Sequence, residues 1–324
     1  MSHPTNSLPP KAKFAKIRSF GSADVFSVEE GSLPLIRRNQ VLIKVHAASI
    51  NPIDWKQRKG NHRLILGAPF PIVLGYDVSG TVMACGDDVH RFEPGDEVLG
   101  VLNNKYGGAY GEYARGTEHC FVKRPKEINI QKAAAMPMVG LTNLQALRDK
   151  GRLKPGETLL VNGASGGVGH VAVQMGKIFG AHVVAVGSGN NEAFIKSLGA
   201  DEFIDYKQIN VPELEKKVDV FFDAAGIYSF PNVKHLLNPG GRYVNTLPRP
   251  KILWHKVLQL FTRGKKARTL LMKHNHKDLQ QIVDWVVEGK LHVTIDKKFQ
   301  LDEIRTAHEY AQQGHSHGKN IIIM

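Results

Sequence analysis

A chain of 324 residues that is 42% hydrophobic and 23% charged has the make-up of a globular protein of about two domains, at ~150 residues each, and not of a disordered or fibrous one. Its 43 Lys and Arg against 30 Asp and Glu leave a net charge of +13, which favours phosphate-bearing partners on nucleic acid, membrane or cofactor. Two cysteines, Cys85 and Cys120, are too few for a disulfide scaffold or a four-cysteine zinc site. No apolar run reaches the ~18 residues of a membrane-spanning helix, and a reducing, cytoplasmic setting is the default expectation.

The first ten residues carry Pro4, Pro9 and Pro10 and no apolar stretch, so they read as a short disordered arm and not as a secretory signal. Residues 41–50 (VLIKVHAASI), Ile72 to Val82 and Glu97 to Leu102 are apolar and β-branched, which predicts strands. Gly75, Gly80, Gly86, Gly95 and Gly100 punctuate them as turns, giving a β-rich domain over 11–130. Ile130 to Arg148 has helical spacing, broken at Met136-Pro137. From there strands and helices alternate. Strands are expected at Leu159–Asn162, His182–Val186, Phe203–Tyr206, Val218–Asp223 and Gly241–Thr246, with helices at Gly167–Phe179 and Glu192–Leu198. This alternation predicts an α/β domain over 131–277, a parallel sheet with helices on both faces. After it, a helix over Leu279–Glu288 and a strand-like tail from Lys319 to Met324 return to the first domain, assigning 278–324 to it.

Residues 159–169 read LLVNGASGGVG, with Gly163, Gly166 and Gly169 in G-x-x-G-x-x-G spacing and Gly167 added. A dinucleotide needs a strand that turns tightly into a helix, so that its pyrophosphate rests on the exposed N–H groups at the helix's positive end. A side chain in the turn would hold the phosphate away. Here the pattern follows an apolar strand, opens a helix and precedes a second strand, the context in which it is informative. Ser165, Gly166, Gly167 and Val168 are the candidate phosphate contacts. An Asp or Glu at the end of the second strand would grip the ribose of NAD. Ser188, Asn190 and Asn191 stand there instead and offer hydrogen bonds without opposing charge, with Tyr206 nearby, which favours NADPH. Glu192 is read as complementing the first turn of the next helix.

The segments ASINPID (Ala48–Asp54), LGYDVSG (Leu74–Gly80), GDEV (Gly95–Val98), GLT (Gly140–Thr142), NGASGGVG (Asn162–Gly169), SLGADEFIDY (Ser197–Tyr206), DAAG (Asp223–Gly226) and PGGR (Pro239–Arg242) lie in the order of one family. On them the chain resembles the medium-chain dehydrogenase/reductase superfamily, in its zinc-free quinone oxidoreductase branch that includes zeta-crystallin. The resemblance implies a GroES-like catalytic domain, a Rossmann cofactor domain and a homodimer. It also implies hydride transfer from NADPH to a quinone or an α,β-unsaturated carbonyl. Zinc-dependent members bind their metal through a Cys, a GHE motif and a later Cys. Asn51 aligns with the first, Tyr76 and Asp77 with the histidine and glutamate, and no cysteine lies near Val139-Gly140, so no metal is expected. His46 and His62 are lone histidines.

Without a Lewis acid, an already conjugated acceptor is the fitting substrate. The resemblance implies that Asn51 touches the nicotinamide or substrate oxygen, that Thr142 contacts the nicotinamide, and that Gly226 and Thr246 edge the cofactor. Lys56 and His62 align with family tyrosines and remain candidate proton or hydrogen-bond donors. Asp54 and Arg58 are expected to pair and hold the loop, and Trp55 to serve as a core or lid residue. Lys251 to Lys277 holds eight Lys or Arg and no acid, and its KILWHKVLQLF stretch is basic and amphipathic. A solvated face, packing on a subunit, and weak peripheral membrane contact stay open for it. No nucleic-acid-binding motif is present and nucleic acid is not expected. The rival readings are an alcohol or ketone dehydrogenase of the same superfamily, and a non-catalytic NADPH-binding protein using that basic patch.

Overall fold

Apolar segments punctuated by glycine open the chain: β1 (Lys11–Ile17), β2 (Phe26–Ser32) and β3 (Gln40–Ser49). α1 (Pro52–Arg58) follows, with Pro52 at its first position, where a missing N–H costs nothing, and then α2 (Arg63–Leu66). The strand expected over Ile72 to Val82 is split into β4 (Ile72–Val73) and β5 (Asp77–Cys85). Gly75 is the cause. Its φ is +95°, and a Cβ there would lie 2.6 Å from the Tyr110 ring, so the chain turns aside under that tyrosine. β6 (Glu97–Val101), β7 (Tyr113–Thr117) and β8 (Phe121–Lys123) follow. α3 (Ile130–Ala135) and α4 (Pro137–Leu144) are separated at Met136, where Pro137 cannot continue the ladder. The computed structural model describes residues 8–246, 264–314 and 316–324. The KILWHKVLQLF stretch and the first part of the basic run lie outside the described residues.

The alternating region forms β9 (Thr158–Asn162), α5 (Gly169–Ile178), β10 (His182–Gly187), the helix Glu192–Ser197, β11 (Glu202–Asp205), β12 (Val218–Asp223), β13 (Leu237–Asn245) and β14 (Lys266–Thr269). Every pair is parallel, in the order β11-β10-β9-β12-β13-β14. β9 is buried on both faces: Leu160 packs with Val184 and Phe221, while Leu159 and Val161 join Val171 and Met175. That two-sided burial is why it reads as a continuous apolar run. The strand order reverses between β9 and β12, and in such a sheet ligands bind beyond the strand ends at this switch point.

β15 (Ile295–Gln300) and β16 (Lys319–Ile323) lie outside this sheet and join the larger sheet of the first domain, whose order is β15-β16-β3-β5-β6-β8 with β7 also on β3, while β2-β1-β4 form a third, smaller sheet. Ile321, Ile322 and Ile323 run antiparallel opposite Ser49, Ala48 and Ala47. The last strand thus begins, at Lys319, beside the Asn51 loop. The architecture is α/β, a GroES-like β-rich domain with a Rossmann parallel-sheet domain. No helix among the described residues is long and apolar enough to cross a membrane.

Candidate active site

A cleft of about 950 Å³ runs between the glycine-rich turn and the Asn51 loop, near the upper end of the ~300–1,000 Å³ usual for small-molecule sites. At its nucleotide end the wall is backbone. Gly163 has φ +79°, and a Cβ on Gly169 would lie 2.0 Å from the Gly163 carbonyl oxygen, so both positions require glycine. α5 therefore starts at Gly169, two residues later than expected, because Gly167 and Val168 still belong to the turn. Ser165, Gly166, Gly167 and Val168 all line the cleft, as do Ser188, Asn190, Asn191 and Tyr206. Asn191 Nδ2 donates to Ser165 Oγ at 3.0 Å, tying the second strand's end to the turn. Lys207, which the sequence reading did not single out, lines the same end. Glu192 instead pairs with Lys196 at 2.7 Å on its own helix.

At the switch point two polar residues close otherwise apolar strands. Asn162 Nδ2 donates to Asp223 Oδ1 at 2.8 Å. Asp223 also accepts from the Gly226 and Tyr228 N–H groups (3.0 and 2.8 Å) and the Tyr243 hydroxyl (3.2 Å). This carboxylate folds the loop so that Ala224, Ala225, Ile227 and Tyr228 line the cleft. Gly226 gives an N–H to Asp223 and is not among the lining residues. Thr142, inside α4, and Thr246, beside the segment outside the described residues, are likewise not among them.

The substrate end is built from side chains. Asn51 lines the cleft and precedes α1. Its backbone N–H donates to Asp54 Oδ2 (2.7 Å), its Nδ2 to Asp77 Oδ2 (2.8 Å), and its Oδ1 accepts from Lys319 Nζ (2.5 Å). Lys319 also donates to the Ile50 carbonyl (3.2 Å) and Asp77 Oδ2 (3.4 Å). Asp77 further accepts from Ser49 Oγ (2.6 Å) and the Met138 N–H (2.8 Å). Burial pulls the Lys319 ammonium below its usual range, opposed by Asp77 and Asp54.

Lys56 and His62 are not among the residues lining the cleft. Lys56 Nζ and Lys59 Nζ lie 5.3 and 5.4 Å from the ring centroid of Trp55, which does line it. Burial lowers Lys56, and burial with the Lys56 charge lowers His62. The expected Asp54–Arg58 pair does not form. Asp54, third in α1, turns back to the Asn51 N–H and takes the Tyr110 hydroxyl at 2.8 Å, while Arg58 reaches Gln312 Oε1 at 2.7 Å. Complete burial pushes Asp54 up to about 7 against these hydrogen bonds. His46, the other lone histidine, bonds Thr81 Oγ1 at 2.9 Å.

Residues 37–126 match the alcohol dehydrogenase GroES-like domain model and residues 198–322 the zinc-binding dehydrogenase model. The chain is 38% identical over 300 residues to a chloroplast envelope quinone oxidoreductase homolog of Arabidopsis thaliana, covering 90% of this chain and 91% of that protein. The chain belongs to the medium-chain dehydrogenase/reductase superfamily, in its quinone oxidoreductase branch. It is also 32% identical to a 2-methylene-furan-3-one reductase of Solanum lycopersicum, over 98% of this chain and 80% of that protein. The quinone oxidoreductase structure from Coxiella burnetii superimposes with a TM-score of 0.90 at 34% identity, covering 97% of this chain and 99% of that one. As a member of this superfamily the protein is an oxidoreductase, and a pyridine nucleotide is its class of cofactor. The glycine cradle and the volume of the cleft fit such a nucleotide.

Zinc does not fit the same site. Of the positions aligned with zinc ligands, Asn51 and Asp77 bind the Lys319 ammonium. Tyr76 accepts from Gln57 Nε2 (2.7 Å), donates to the Lys105 carbonyl (3.0 Å) and is pushed up to about 12 by burial. Among the described residues no three His, Cys, Asp or Glu converge. A fixed cation already sits on the oxygens that a metal would need.

Proposed function

We propose that the protein is an NADPH-dependent, zinc-independent reductase that transfers hydride to a quinone or an α,β-unsaturated carbonyl. One observation carries the reading: a single cleft joins a glycine phosphate cradle to a donor centre, Asn51 with Lys319, whose oxygens are committed to an ammonium. When bound, the reduced nicotinamide supplies the hydride. The cradle's N–H groups hold the pyrophosphate, and Trp55 with Ile50 and Val139 gives the opposite end apolar surface against which a planar acceptor can lie. Hydride delivered to the β-carbon of an enone would shift the C=C pair to the bond between the α-carbon and the carbonyl carbon, and the C=O pair onto the oxygen. A donor at that oxygen stabilises the charge, and the α-carbon later takes a proton from water. A conjugated acceptor spreads the charge, so one positioned donor suffices where an isolated ketone calls for a metal. Ser188, Asn190 and Lys207 supply donors and one positive charge for a 2′-phosphate, which supports NADPH over NADH.

The test is loss of nicotinamide absorbance with the purified protein, NADPH or NADH, and a panel of quinones, enals, enones and simple ketones. Turnover of conjugated acceptors with NADPH, unaffected by chelators, is expected. No turnover on any panel member, or activity on simple alcohols and ketones that chelators abolish, sinks the reading.

A further inference from the structure

Burying an ammonium costs several kcal/mol unless its N–H groups are satisfied, so a lysine only 3% exposed in a functional cleft calls for a reason. All three Lys319 N–H groups are taken, by Asn51 Oδ1, the Ile50 carbonyl and Asp77 Oδ2. None is left to protonate a substrate, so any effect on chemistry passes through Asn51. With an ammonium on its oxygen and a carboxylate on its nitrogen, the Asn51 amide has one orientation. A flip would set NH₂ against the ammonium and C=O against the carboxylate. The backbone N–H of Asn51 is given to Asp54. The second Nδ2–H is therefore the donor that Asn51 retains for a ligand. A cation on the amide oxygen also draws electron density off Nδ2 and strengthens that N–H as a donor.

We propose that Lys319, steadied by Asp77, is a positioning residue that orients and polarises Asn51 so that its remaining Nδ2–H donates to the oxygen on which the acceptor gathers negative charge. This rests on the reductase reading above. The placement of Lys319 in the chain supports it. Gly318, immediately before it, bridges to Gly166, and its N–H donates to the Ser165 carbonyl at 3.1 Å. The segment that carries the ammonium is thus anchored on the phosphate cradle, which ties the distance between nucleotide and donor to one short stretch of backbone.

The experiment is a double-mutant cycle with Lys319→Met, Asn51→Ala and both together, read first by p-nitrophenol as an unreactive mimic of the enolate. In the presence of oxidised nucleotide, each single change should weaken p-nitrophenolate about 10-fold, and the double should be no weaker than Asn51→Ala alone. Additive losses mean that the ammonium acts as a distant charge, and unchanged binding means that it does nothing; either overturns the proposal. Turnover then separates positioning from mere structure. On a weakly activated enone Lys319→Met should lose about 10- to 100-fold in kcat/KM, and on a strongly electrophilic quinone less than about 3-fold, because only the former depends on the donor. An equal loss on both overturns the proposal. Should Lys319→Met fail to fold, Lys319→Gln keeps an N–H for Asn51 without the charge and should restore orientation but only part of the binding. If the unaltered protein turns over no acceptor, the reductase reading fails while the p-nitrophenolate cycle still decides the role of Lys319.

Discussion

At one end of the cleft the chain offers backbone, with Gly163 and Gly169 pressed so close that a Cβ has no room; at the other it offers a knot of buried side chains, Asn51, Asp77 and Lys319. The first is assembled within a few residues of sequence. The second joins Asn51 to a lysine 268 residues away. Backbone donors bring no side-chain freedom to be frozen and no charge to be desolvated, so the shape of the cradle is set chiefly by steric room. The knot balances desolvation against Coulomb attraction, and each member's environment depends on the others. Changes at the glycine end should therefore act abruptly and alone, and changes at the other end should be graded and coupled.

Gly169→Ala breaks the comparison most directly. The new Cβ meets the Gly163 carbonyl at 2.0 Å, and backbone must move to admit it. Nucleotide affinity is expected to fall at least ~100-fold, with ~1–3 kcal/mol lost in stability, both read by calorimetry and thermal melts. Affinity within a factor of two of the unaltered protein would show that the cradle tolerates a side chain. Next in size is Lys207→Ala. If this cation meets a 2′-phosphate, NADPH binding should weaken about 10-fold while NADH binding holds, a difference of ~1.4 kcal/mol. Equal losses for both nucleotides would place Lys207 elsewhere on the ligand.

The two ends also differ in how far the sequence discloses them. β9, β10 and β12 lie within a residue of their expected bounds, because strands buried on both faces carry a nearly continuous apolar run. The glycine pattern is legible for the same local reason. The strand over Ile72 to Val82 misleads, since its split follows from the Tyr110 ring above Gly75, a contact 35 residues apart that no local pattern carries. Asp54 and Arg58 stand one helical turn apart and invite pairing, yet capping of α1 and a Gln312 from the far end of the chain claim them. Lys319 looks like the polar start of an edge strand. Its one signal is a lysine set between Gly318 and the run NIII, where a buried partner is needed. Asn162 and Asp223 show a plainer one, polar residues at the last position of apolar strands that meet at the switch point.

Behind the side-chain end, His308 offers the finest test of this contrast, because it is a buried titratable group with no hydrogen bond to hold it. It is fully buried, its two ring nitrogens have no hydrogen-bond partner among the described residues, and it packs edge-on to Phe26 and Tyr110 with the Arg58 charge nearby. Burial lowers it to about 3, and lowers His170 to about 4. His170 differs in using both nitrogens, on the Gly166 carbonyl (2.9 Å) and the Thr294 N–H (3.2 Å). Between pH ~6.5 and ~4 the unfolded chain protonates both histidines and the native protein neither, so each makes stability fall with falling pH by ~1.4 kcal/mol per unit. Asp54, raised to about 7, works the other way, since the native carboxyl keeps a proton that the unfolded one releases above ~4. His308→Leu removes one of the two histidines, so its stability should fall less steeply than that of the unaltered protein over that range, by ~1.4 kcal/mol per pH unit, while staying within ~1 kcal/mol of it at pH 7, where no hydrogen bond is given up. Urea unfolding at half-unit pH steps reads both slopes. An unchanged slope would mean that His308 is already charged in the native state. His170→Leu, which sacrifices two hydrogen bonds beside the cradle, should instead cost stability at every pH.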